Sequence, residues 1–205
     1  MSFLLGFDQV APGLMLFAVL LLVGHTASSL AREWELGTLH RYRLARTGAW
    51  PLVVGTSLGH LLLACVAFAA MLGLAGLMGF QNHGSYLDAY VVVLATAASV
   101  LGLGMAIAGL ARSRDEAANL SLLLVIPLGF LSGAFFPIPG AALFGLNLYD
   151  LLPSTHALAA LHGVLTDGQS LAQVGVQLAW LAGLGVVYLG LGALVFARRR
   201  LARAG

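Results

Sequence analysis

Five stretches of this chain contain no Asp, Glu, Lys or Arg: Val10 to Ala31, Pro51 to Phe80, Ala89 to Ala111, Ala117 to Phe136, and Leu171 to Ala197. A helix of about 20 predominantly apolar residues crosses the hydrocarbon core of a bilayer, and each stretch reaches that length. A helix satisfies its backbone polar groups internally, which lipid demands of any spanning segment. The pattern therefore predicts an all-α, polytopic membrane helix bundle with five transmembrane helices. Composition leaves little room for a water-facing fold. Charged residues make up 9% of the chain and hydrophobic ones 60%, against about 25% charged in a soluble domain. Mean hydropathy is +0.96. No linker or composition break divides residues 1–205, which read as a single transmembrane domain. Cys65 is the only cysteine, so an internal disulfide is excluded.

Local signals refine the spans. Pro12 and Pro51 are expected at helix starts, where a missing N–H is tolerated. Pro127 is expected inside a helix, as a kink. Gly55 with Gly59, and Gly129 with Gly133, have the four-residue spacing that suits close helix packing. Between Pro137 and Ser170 lie two apolar pieces, Pro139 to Leu152 and Pro153 to Leu165. Each is too short to span, which predicts a shared re-entrant or interfacial helical hairpin, extracellular by the charge pattern that follows.

The charges separate by side. All ten basic residues are arginines. Arg32, Arg41, Arg43 and Arg46 follow the first span, Arg112 and Arg114 the third, and Arg198, Arg199, Arg200 and Arg203 the fifth. With five spans these places share one face of the membrane, and Asp8, Asp88, Asp150 and Asp167 occupy the other. The positive-inside rule makes the arginine face cytoplasmic. The expectation is a multi-pass protein of the cell (inner or plasma) membrane, N-terminus outside and C-terminus cytoplasmic. No basic residue precedes the first span, so it does not read as a signal peptide.

The stretch Arg32 to Arg46 is then the largest cytoplasmic loop. A basic loop on its own reads as a topology determinant and lipid anchor. This one also carries Glu33 and Glu35, which add little to orientation. Gly37-Thr38 makes a break and an N-cap for a short helix beginning at Leu39. Leu36, Leu39 and Tyr42 fall at a spacing of three, as on a surface helix offered to a partner.

At these residues the chain resembles a known family. Arg32-Glu33-Trp34-Glu35-Leu36-Gly37-Thr38-Leu39 is similar to the R-E-x-E-x-G-T-L signature of ABC type-2 transporter permeases. Ser113 to Asn119 resembles that family's short cytoplasmic turn, and Leu131 to Pro137 its "LSGxFFP" ending. Pro153 to Leu161 looks like its "P-x-T-H-A-x-x-A-L" external helix. The resemblance implies the permease half of an ATP-driven exporter of a lipophilic substrate (a drug, lipid or lipid-linked molecule). It implies a cytoplasmic coupling helix that docks on a separate ABC ATPase subunit. Glu33, Glu35, Gly37, Thr38, Leu39, Arg41 and Arg43 would form that coupling segment. Phe136, Pro137, Pro153, Thr155 and His156 would form the external re-entrant cap. Further partners implied are a second permease copy or a homologous permease, and membrane lipid; nucleic acid is not among them. The family has six spans, and its first has no counterpart here, by truncation or as a short form.

The chain is not expected to be an enzyme or to bind a cofactor. A P-loop needs a Lys, and the chain has none, so ATP and Mg belong to the partner subunit. Gly55-Thr56-Ser57-Leu58-Gly59 spells G-x-S-x-G, but a nucleophile elbow needs a strand before the Ser. His25 and His60 read as hydrogen-bonded core histidines. His156 and His162 are poorly spaced for a shared metal, and no metal or paired-carboxylate motif is present. The alternatives are an ion- or proton-coupled carrier and an intramembrane enzyme. Carriers usually hold charged groups within their spans, and these five stretches hold none.

Overall fold

The computed structural model describes residues 2–37, 50–135 and 151–201. Among these, all regular structure is helical. The helices are α1 (Ser2–Glu35), α2 (Trp50–Leu77), α3 (Tyr86–Leu110), α4 (Arg114–Leu131), α5 (Pro153–Leu165) and α6 (Gly175–Phe196). A π-helical turn, Ala197–Leu201, extends α6. Four of them, α1, α2, α3 and α6, are long and apolar enough to cross a membrane. The fourth predicted span differs. Its helix is 18 residues long and opens with Arg114, Asp115 and Glu116. It stops at Leu131 because Gly133 takes φ 81°, a left-handed conformation that suits Gly. The first half of the predicted hairpin, 139–152, lies outside the described residues, and its second half is α5.

α1 and α3 form the centre of the bundle. Burial covers 61% of the most apolar stretch of α1 and 67% of that of α3, but only 22% for α2 and 17% for α6. The core joins Leu16, Val19, Leu20 and Val23 of α1 to Val92, Val93 and Val100 of α3 and Leu161 and Val164 of α5. α3 and α6 approach most closely where Gly102 faces Tyr188 and Gly192 faces the Gly102 carbonyl. Nearer the start of α6, the Ser99 hydroxyl donates to the Leu181 carbonyl at 3.0 Å.

One expectation about a special residue is corrected, and another has no counterpart within the chain. Pro12 is not at a helix start but inside α1, the helix continuing ten residues upstream to Ser2. A proline at 12 cannot donate to the carbonyl four residues earlier, that of Asp8. The Thr166 hydroxyl, just past α5, donates to that carbonyl instead, at 3.4 Å. Gly55 and Gly59 pack against nothing within this chain: a Cβ at either position would meet nothing within 4 Å. Of the second pair, Gly129 does pack, against the Phe17 ring, while Gly133 serves the turn after α4.

Candidate functional site

One end of the bundle gathers the C-terminus of α1, the loop Ala111–Ser113 and the end of α6. Leu30, Met105, Ala108 and Phe196 form a small apolar cluster there, and Trp34 and Leu189 pack against it. Beyond Trp34, α1 ends in a turn. The Gly37 N–H donates to the Trp34 carbonyl at 3.0 Å, and Gly37 has φ 69°, the left-handed stop that closes many helices. The break read from Gly37 is therefore present.

The next helix start is built from the sequence Ser113-Arg114-Asp115-Glu116. The Ser113 hydroxyl accepts from the Glu116 N–H at 3.1 Å. The Glu116 carboxylate reaches back to the Arg112 N–H at 2.7 Å, a variant of the capping box one residue further upstream. A third free N–H of this helix start, that of Arg114, donates to Glu35 Oε1 at 2.7 Å. A carboxylate from the end of α1 thus sits on the positive end of α4. The dipole and the unsatisfied N–H both favour it. Residues 35 and 114 lie 79 positions apart, and this contact is the site's central feature.

Of the predicted coupling residues, Glu33 is half-buried beside Trp34, while Glu35 and Gly37 are exposed. Thr38, Leu39, Arg41 and Arg43, with the short helix read from Leu39, lie outside the described residues. The motif around Ser113 was legible as a resemblance, but its contact with Glu35 was missed. The S-x-x-E spacing signals the helix start, and nothing in it signals the second carboxylate, that of Glu35.

The opposite end carries the residues predicted for the cap. Pro153 occupies the first turn of α5. The Thr155 hydroxyl donates to the Leu152 carbonyl at 2.6 Å. The His156 ring stacks on Trp180 of α6, with centroids 5.5 Å apart and planes within 5°. Phe136 and Pro137 lie outside the described residues. The His83 N–H donates to the Leu165 carbonyl at 3.0 Å, and the Leu171 N–H to Asp88 at 3.3 Å. Together with the bond from Thr166 to Asp8, these contacts gather Asp8, Asp88 and Asp167 at this end. Arg32, Arg112, Arg114 and Arg198 sit at the other. Burial pushes the His162 imidazole below its ordinary pKa, against the opposing pull of Asp167 and the Gln9 backbone.

Within the spans, His60 is the hydrogen-bonded core histidine expected: it is buried, and its Nδ1 is bonded to the Thr26 hydroxyl. His25, in contrast, is exposed. Ser57 lies in α2 with helix on both sides, so the strand of a nucleophile elbow is missing.

A sequence model of one family, the ABC-2 type transporter, matches residues 2–166. The chain belongs to the ABC-2 type transporter family. That match runs through both ends just described, from α1 to the close of α5. Among curated relatives, the chain is 27% identical over 183 residues to "Daunorubicin resistance ABC transporter permease protein DrrB1" of Streptomyces coeruleorubidus, covering 86% of this chain and 64% of the relative. It is 28% identical over 164 residues to "Nodulation protein J" of Sinorhizobium fredii, covering 74% and 63%. It is also 28% identical over 177 residues to "ABC transporter G family member 20" of Dictyostelium discoideum, covering 85% of this chain and 24% of that one. The chain thus spans less than two thirds of the length of each of these relatives.

Proposed function

We propose that this ABC-2 family chain is the membrane-spanning permease of an ATP-driven exporter. The observation that carries the reading is the bond from Glu35 to the Arg114 N–H. It joins the root of the loop offered to a partner directly to the start of a helix. In this reading Arg32 to Arg46 is the coupling segment, with Glu33, Glu35, Gly37, Thr38, Leu39, Arg41 and Arg43 its transmitting residues. It docks on a separate ATPase subunit, which binds ATP and Mg; this chain binds no cofactor. Movement of the loop reaches α4 through Glu35.

Residues 1–205 act as one permease domain with five spans. α4 is the additional span, its charged first turn lying in the headgroup region. The arginine end faces the cytoplasm, which the positive-inside rule supports, and the N-terminus faces out. On the outer face, α5 and the segment before it form the re-entrant cap, to which Phe136, Pro137, Pro153, Thr155 and His156 contribute. The exposed faces of α2 and α6 meet lipid and a second permease, either another copy or a homologue. The substrate is lipophilic, in keeping with the uncharged spans and with the drug-resistance name of one relative.

The test is capture of the tagged chain from native membranes, followed by reconstitution of the eluate in vesicles. A copurifying ATPase and ATP-dependent efflux of daunorubicin or another lipophilic dye support the reading. Transport driven by an ion gradient without ATP makes the chain a coupled carrier and overturns it.

A further inference from the structure

Polar side chains are scarce in these spans, so their grouping matters. Between α1 and α2 lies a crevice of about 350 Å³, lined by His25, Thr26 and Ser29 of α1 and by residues from Thr56 to Val66 of α2. Its floor is the hydrogen-bonded pair of Thr26 and His60, both buried. Its α2 wall is open at the surface of the bundle: Leu62 is 68% exposed and Val66 56%.

The lining is graded in depth. At about 1.5 Å per helical residue, Ser29 and Thr56 stand about 9 Å from the ends of their helices, at Glu35 and Trp50. His25 and His60 stand about 15 Å from the same ends, Leu62 and Leu63 about 18 to 20 Å, and Val66 about 24 Å. Hydroxyls come first, imidazoles next and aliphatic groups deepest. An amphiphile of the adjoining leaflet has the same order, with its head toward the helix ends and its chain toward the midplane. The volume is at the small end for ligand sites, and the open wall lets a chain continue into the bilayer. An ionisable residue in a span normally faces a partner or a cavity, and exposed His25 faces this one. Among the described residues no carboxylate or guanidinium lines the crevice, so the lining they give suits a head that is uncharged and hydrogen-bonding.

We infer that this crevice binds an amphiphile with a neutral, hydrogen-bonding head, entering sideways from the leaflet at the arginine end. The inference deepens the exporter reading by giving its substrate class a place, and it rests on that reading for which leaflet is cytoplasmic. Binding itself requires no ATP, so its failure is separable from failure of the export activity.

The probe is hexadecanol with a diazirine in its chain, photolysed with the protein in nanodiscs, the labelled residues being read by mass spectrometry. Saturable labelling is expected between Leu58 and Val66. Excess hexadecanol should compete, and neither hexadecane nor hexadecyltrimethylammonium should. Ser29→Ala combined with Thr56→Val, or Val66→Trp alone, should lower the labelling at least fivefold without changing labelling at Val186 and Leu194 on α6. Unsaturable labelling equal to that on α6 would reduce the crevice to ordinary lipid contact and overturn the inference. So would disulfide formation between two copies carrying Leu62→Cys in a Cys65→Ala background, because the crevice would then be an interface. Where labelling is specific, ATP-driven efflux of the alcohol identifies exported cargo as the natural occupant. Labelling that persists through turnover without efflux identifies a resident lipid. The first result supports the inference; the second overturns the assignment of the substrate class to this crevice.

Discussion

The bond between Glu35 and the Arg114 N–H separates a mechanical link from a surface ion pair, because its donor is backbone. Arg114 is the first residue of α4 after the Ser113 cap. Replacing Arg114 with Ala keeps the N–H and should be nearly silent. Replacing it with Pro removes the N–H, at the helix position that best tolerates Pro. Ser113 already has φ −143° and ψ 164°, the extended conformation required before Pro. Arg114→Pro should therefore reproduce Glu35→Ala without touching the loop, and Glu35→Gln, which retains an acceptor oxygen, should fall between wild type and Ala. An exposed carboxylate at a helix N-terminus is worth about 0.3–1 kcal/mol, or roughly a 2- to 5-fold bias toward the attached state. A loss of that size lowers the Tm of a chain this long by about 2–4 °C at most. Efflux per ATP hydrolysed should fall by about the same 2- to 5-fold in Glu35→Ala and in Arg114→Pro. The double variant should be no worse than either single one, as for two halves of one interaction. The assay is efflux and ATP hydrolysis measured on the same proteoliposomes, with a melting curve for each variant. Additive losses, or Arg114→Ala as damaging as Glu35→Ala, would refute the argument.

Other parts of the chain give sharper contrasts. Gly192→Val drives a side chain into the α3 backbone at Gly102 and should cost about 1–3 kcal/mol in a melting assay; Gly59→Ala, with open space around it, should be neutral or stabilising by up to about 1 kcal/mol. Gly37→Val forces a β-branched residue to φ 69°, a strain of about 1–2 kcal/mol, so permease-stimulated ATP hydrolysis should fall while surface labelling shows normal insertion. Burial depresses the His162 pKa, so the unfolded chain takes up a proton first as pH falls through the ordinary value of 6.5. The His162 contribution is then present above that pH and lost below it: Tm should drop between pH 7.5 and 5.5, and His162→Gln should flatten the drop. In a Cys65→Ala background, His83→Cys should react with an impermeant maleimide from outside and Arg43→Cys only after permeabilisation. The reverse pattern would invert the proposed orientation.

What was legible in the sequence follows the range of the force involved. Uncharged stretches became helices because lipid leaves the backbone no other partner, and α1, α2, α3 and α6 each overlap the stretch that predicted them. The left-handed stop at Gly37 was legible for the same reason, a local steric preference needing no neighbour. Pro12 misled because the residue that accommodates it is distant: Thr166 lies 158 positions from Asp8, so no local rule connects it to the carbonyl that Pro12 leaves free. The glycine spacing is limited in a different way. A four-residue interval says that two glycines share a helix face, and nothing about what the face meets. Gly55 and Gly59 face open space, whereas Gly102 and Gly192, in separate stretches, meet each other across α3 and α6. Glu35 combines both cases. Its carboxylate follows a run of helix and precedes a glycine stop, which reads as an exposed acidic residue near a helix C-terminus, where the dipole disfavours it. It is tolerated because α4 begins beside it, and the unfavourable end of one helix dipole is set against the favourable end of another. That juxtaposition gives the residue a reason to be acidic that a topology signal does not supply, and it makes the start of α4 sensitive to where the loop is held.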